Sequence, residues 1–127
     1  MRRLAFSIGK TLSVAAFAAA LTLSGITEAA KRDNFFWLGQ INKATAVINT
    51  EEKLLSPEQG HRFARGIEAV LEQGDKPDGA RPNVVITFEP LLIKAAGPEI
   101  TKLHAGRSSQ DMLTTVSLAM QREQLLE

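Results

Sequence analysis

Cysteine is absent from this 127-residue chain. No disulfide can staple the fold, and thiolate metal sites and cysteine nucleophiles are excluded. Histidine is scarce: His61 and His104 are the only two, and they lie far apart. No Asp or Glu cluster surrounds them at ligand spacing, so a metal site is not expected. Internal repeats, low-complexity tracts, a Gly-rich nucleotide loop and a Ser-His-Asp set are also missing.

Positive charge is missing from the bulk of the chain as well. The formal net charge of +1 depends on the N-terminal leader: setting aside Arg2, Arg3, Lys10 and Glu28 turns it into −1. A near-neutral chain without a basic stripe gives no support to nucleic-acid binding.

The leader itself, residues 1–29, reads as a secretory signal peptide. Arg2, Arg3 and Lys10 form its basic start, an apolar core runs from Leu12 to Ile26, and small residues precede a cut after Ala29 or Ala30. Ser13, Thr22, Ser24 and Gly25 interrupt the core. It therefore falls short of the roughly 20 residues needed to span a bilayer. The expectation is a periplasmic or secreted protein with no stable membrane insertion after cleavage, exported by either the general or the twin-arginine route.

Residues 30–127 are enough for one small domain. Phe36, Trp37, Ile41, Ala44, Val47 and Ile48 recur at helical spacing and predict a helix from Asn34 to about Leu55. Phe35, Phe36 and Trp37, opening that helix, read as core or subunit interface. Ser56, Pro57 and Gln59 signal a second helix start, Phe63, Ile67, Val70 and Leu71 line one face, and Gly74 marks a stop. His61, with Glu58 and Arg65 as surface neighbours, reads as solvated. Asp75 to Asn83 is a loop. Val84–Phe88 has strand propensity and Pro90 disfavours a helical Glu89, so the residues predict an extended piece followed by a short helix from Pro90. A last helix is expected from about Ser109, with Met112, Val116 and Met120 on one face and Leu113 beside them.

Chemistry concentrates just before that helix, in His104-Ala105-Gly106-Arg107-Ser108-Ser109-Gln110-Asp111. Ser108 and Asp111 make a capping box in the wider sense. The open N–H groups of the first turn, with Arg107 beside them, suit a carboxylate or phosphate. The competing reading is an ordinary solvated helix cap, with Arg107 in a structural ion pair and His104 a structural turn residue.

This segment resembles the His-x-Gly-Arg-Ser-x-x-Asp motif of argininosuccinate lyases, in the wider fumarase and aspartase superfamily. Leu54, Ser56, Pro57, Glu58 and the helix through Val70 resemble that family's early helix pair. Glu89 stands where the family places a Glu, before the loop His. The similarity covers about residues 35 to 127. It implies a mainly α fold, the N-terminal helical part of such a lyase without its central helical bundle, and one continuous helix through Val84–Ala96. It also implies a cofactor-free homotetramer that eliminates fumarate from an amino-dicarboxylate by C–N cleavage. Substrate contacts would come from Arg107, Ser108, Ser109 and Gln110, with no catalytic base in this chain. The family's downstream Gly-Ser-Ser-x-Met-Pro-x-Lys loop and Thr-His pair are absent, so the chain is expected to be incomplete at its C-terminus and inactive alone. The apolar faces at Phe63–Leu71 and Met112–Met120 are then expected to lack the long helices that would cover them.

Four positions depart from the family pattern. Ser109 and Gln110 stand where Arg and Asn are typical, and Asn83 and Val85 replace the Asp and His of an upstream Asp-x-His. These departures set a second expectation beside the first: a catalytically inactive exported helical remnant or interaction module.

Overall fold

A computed structural model describes residues 32–126; the signal peptide expected at residues 1–29 lies outside them. The chain folds as α1 (Asn34–Glu51), α2 (Pro57–Gly74), α3 (Val85–Ala96), a 3-10 segment (Pro98–His104) and α4 (Ser109–Leu126). No strand occurs among the described residues. The fold is mainly α, as expected.

Local chemistry sets most of the boundaries. The Asp33 carboxylate accepts from the Phe36 N–H at 3.1 Å and starts α1. At the head of α2, Ser56 and Gln59 exchange hydrogen bonds of 3.1 and 3.2 Å, and Pro57 occupies a first-turn position where no N–H is needed. Helix α2 ends at Gly74, as expected, and the Asp75 N–H bonds the Leu71 carbonyl.

Residues 84–88 correct the residue-level reading. There is no extended piece, and α3 runs unbroken from Val85 with Pro90 inside it. Proline removes the bond to the carbonyl four residues back, which belongs to Ile86. Ile86 is 80% exposed and Pro90 is exposed too, so water can serve that carbonyl and the ring points away from the core. The 3-10 segment, which buries Ile100 and Leu103, was not anticipated.

Helix α1 is the hub, touching α2, α3, the 3-10 segment and α4. Its inward face is not the one that spacing picks out. Phe35, Leu38, Gly39, Asn42, Ala46 and Asn49 are buried, whereas Val47 and Ile48 are more than half exposed and Ala44 faces solvent. The helix is apolar most of the way round, so periodicity could not choose between faces. Tertiary packing sets the face, and α2 packs closely at Gly39, where a Cβ would come within 2.5 Å of a Leu71 methyl and that side chain would have to move.

The core joins Phe35 and Phe88, in edge contact at 5.4 Å and 61°, to Phe63, Ile67, Leu92, Ile100, Leu103, Met112 and Val116. The expected vacancy on α2 and α4 is therefore absent. Phe63 and Ile67 are fully buried, Met112 and Val116 nearly so, and Leu71 and Met120 pack at the edge. Each fully buried side chain of this kind contributes about 1.5–3 kcal/mol.

Arg81, in the loop between α2 and α3, fastens the start of α1. Its guanidinium donates to both Asp33 oxygens at 2.8 and 2.9 Å, to Asp75 and to the Gly74 carbonyl, and lies 4.6 Å above the Phe35 ring. These carboxylates, Asp33 first, raise the Arg81 pKa above its ordinary value.

Candidate functional site

The loop between the 3-10 segment and α4 is a tight turn followed directly by a helix cap. The Arg107 N–H donates to the His104 carbonyl at 3.0 Å. Ala105 sits at φ −59, ψ 123 and Gly106 at φ +72. Those angles make a type II turn, whose third position demands a positive φ and so favours glycine.

The cap then forms as the sequence predicts. Asp111 Oδ2 accepts from the Ser108 N–H at 2.9 Å and from the Ser108 hydroxyl at 2.7 Å, while Ser108 Oγ accepts from the Asp111 N–H at 3.2 Å. The Ser108 N–H, and then its hydroxyl, hold the Asp111 pKa below its ordinary value. The positive end of α4 thus carries a carboxylate of its own, which weakens any attraction of that end for a second anion.

Arg107 makes no ion pair among the described residues, and its side chain turns inward onto α1. One terminal nitrogen donates to Asn42 Oδ1 at 3.0 Å and the other to Thr45 Oγ1. Both acceptors are neutral. Its Nε is buried without a hydrogen-bond partner, and burial lowers the Arg107 pKa. The turn and cap are thereby tied to the middle of the hub helix.

His104 and Glu89 come together across the fold, with Nε2 and Oε1 3.6 Å apart. Burial is the main influence on His104 and pushes its pKa down; Glu89 pulls it up and Arg107 pushes it down further. The imidazole is accordingly neutral at pH 7, a polar neighbour rather than a cation.

The remaining predicted contacts separate into two groups. Ser109 and Gln110 are exposed on the first turn of α4, and neither side chain makes a hydrogen bond among the described residues. Asn83 is exposed in the α2–α3 loop, its carbonyl accepting from Asn34 Nδ2 at 3.3 Å. Val85 is 6% exposed and belongs to the core. His61 faces solvent, as expected.

Sequence reasoning missed Asn42 and Thr45. Asn42 lies four residues from both Leu38 and Ala46, an amide on the buried stripe that the sequence pattern did not pick out. Asn42 is 1% exposed, and its Nδ2 donates to the Leu38 carbonyl at 2.9 Å, which leaves Oδ1 facing Arg107.

Two concavities, of about 370 and 470 Å³, lie elsewhere, one around Ala46, Gly60 and Ala64 and one around Val70, Ala80 and Leu91. Among the described residues no group of three or more His, Asp or Glu is placed to hold a metal ion, and no helix is long and apolar enough to cross a membrane. Compared with family models, curated proteins and solved structures, the chain has no match.

Proposed function

We propose that this chain belongs to a carbon–nitrogen lyase of the argininosuccinate lyase type and supplies the Gly-Arg-Ser loop to a composite site. The observation that carries this reading is the convergence of residues singled out by the motif. Glu89 from α3 faces His104 at 3.6 Å, and Arg107, two residues past the turn's alanine, is locked onto α1 beside them. A capped helix alone would need none of these tertiary ties.

The chemistry suits such a loop. Removing a proton beside a carboxylate builds negative charge on that carboxylate, and fixed donors stabilise it as the neighbouring C–N bond breaks. Arg107 would bring the charge, while Ser109 and Gln110 would bring exposed polar side chains on the first turn of α4. The base would come from another segment, and the working form would be an exported, cofactor-free homotetramer. Release of fumarate from argininosuccinate and related succinyl-amines, followed in the ultraviolet with the complete protein, tests the proposal. Turnover is the expected outcome, and none across all substrates would refute it.

A second reading has its own observation. Val85 stands where the family's upstream His is expected, and it is buried in the core, where it cannot meet a substrate. An exported helical module that keeps the loop without the elimination fits that loss. Dicarboxylate binding without fumarate release would favour it.

A further inference from the structure

We propose that Asn42 and Thr45 are positioning residues that hold Arg107 through neutral acceptors, leaving its charge for the carboxylate of an incoming ligand. The inference rests on the reading of the loop as an anion site, and it concerns how α1 prepares that site.

A guanidinium carries five N–H donors in a rigid fork. In Arg107 one goes to Asn42 Oδ1, one to Thr45 Oγ1, and the Nε–H is buried with nothing to bond. No carboxylate among the described residues lies within 4.0 Å of this cation. Two acids of the neighbouring segments are otherwise engaged: Asp111 is held by Ser108, and Glu89 faces His104. A half-buried cation without a counter-ion is a poor structural element, because its lost hydration is not returned by an opposite charge.

The neutral acceptor is a matter of one atom. Aspartate has the shape of asparagine, so a carboxylate at position 42 would bring one oxygen directly against Arg107, while the other would face the Leu38 carbonyl where the amide now donates. The chain has the amide there instead. The amide fixes the direction of the guanidinium through Oδ1 and fixes itself through its own bond to the Leu38 carbonyl. Thr45 braces the other terminal nitrogen and bonds the Ile41 carbonyl at 2.9 Å. Arg107 is thus held in place while its charge stays uncompensated, ready for a ligand that brings the counter-ion.

Succinate is a suitable probe, titrated at pH 7 into the full chain by calorimetry, with circular dichroism to verify folding. The expected result is that the unaltered protein binds succinate and that Asn42→Asp weakens binding at least tenfold in protein that circular dichroism shows to be folded. A residue serving only to hold the fold would not weaken binding in folded protein. Thr45→Asp brings a carboxylate to the same guanidinium by another route and should weaken binding likewise, which preserves the test if Asn42→Asp does not fold. Equal affinity in the unaltered protein and a folded variant would overturn the inference and leave the anion site standing. No binding by the unaltered protein would overturn both. Binding lost in the variants, with no fumarate release from any substrate by the complete protein, would uphold the inference and refute only the lyase reading.

Discussion

Two arginines fasten α1 to the rest of the molecule, and they are built in opposite ways. Arg81 meets Asp33, Asp75, a backbone carbonyl and the face of Phe35. Arg107, against residues 9 to 12 positions further along the same helix, roughly 13–18 Å away at 1.5 Å per residue, meets an amide and a hydroxyl. Their pKa values move accordingly, up for Arg81 because of its carboxylates and down for Arg107 because of burial. The start of the helix is arranged for stability. Its middle holds a charge that contributes little to the fold, which is the property expected of a group with work to do on a ligand.

The largest effect should come from beneath the first arginine. Phe35 is 1% exposed, supports Arg81 and meets Phe88 edge-on. Phe35→Ala should cost about 3–5 kcal/mol. In a domain of this size that is a fall of more than about 10 °C in melting temperature. A fall of only a few degrees would break the claim that this end carries the stability.

At the middle of the helix, Arg107→Ala should lower kcat/KM for fumarate release in the complete enzyme by roughly tenfold to 150-fold, the equivalent of losing a charge-assisted bond of about 1.5–3 kcal/mol. Asn42 Oδ1 then loses its partner inside the core, so some stability is lost as well. Kinetics are therefore best compared at low temperature, where the variant stays folded. Unchanged kcat/KM in folded protein would mean that this arginine does not serve the substrate.

A smaller effect is expected from pH. Burial holds the folded pKa of His104 below its ordinary value, so the fold favours the neutral imidazole. Its contribution should be complete above the unfolded value of about 6.5. It should diminish as pH falls through the folded value and stay level below that. Melting temperatures of the unaltered protein and His104→Gln between pH 5 and 7.5 would separate this slope from other groups, the variant having the shallower curve. Parallel curves would contradict it.

How far the sequence could be read follows the same division. Features governed by near neighbours were legible: the Ser56–Gln59 box, the stop at Gly74, the 75–83 loop and the Ser108–Asp111 cap are each settled within a few residues. Features governed by packing were not. The inward face of α1 is set by tertiary packing, with Leu71 close against Gly39, and the tolerance of Pro90 depends on Ile86 facing water. At the candidate site, Arg107, Ser108 and Asp111 could be named from the motif. Asn42 and Thr45 could not, since they lie 65 and 62 residues away and carry no motif of their own.

Exchanging carboxylate and amide at the start and the middle of α1 tests the contrast most directly. Asp33→Asn keeps a good helix cap but removes the main counter-ion of Arg81. It should lower the melting temperature by the loss of about 1–2 kcal/mol, a charged bond discounted for partial exposure. Asn42→Asp gives Arg107 a counter-ion, but it buries a carboxylate and sets one of its oxygens against the Leu38 carbonyl in place of the amide donor. Gain and cost offset one another, so the melting temperature should change less than in Asp33→Asn. Melts of both variants beside the unaltered protein at pH 7 should show the clear fall only for Asp33→Asn. If Asn42→Asp instead falls as Asp33→Asn does, Arg107 is already compensated, and the contrast between the two arginines fails.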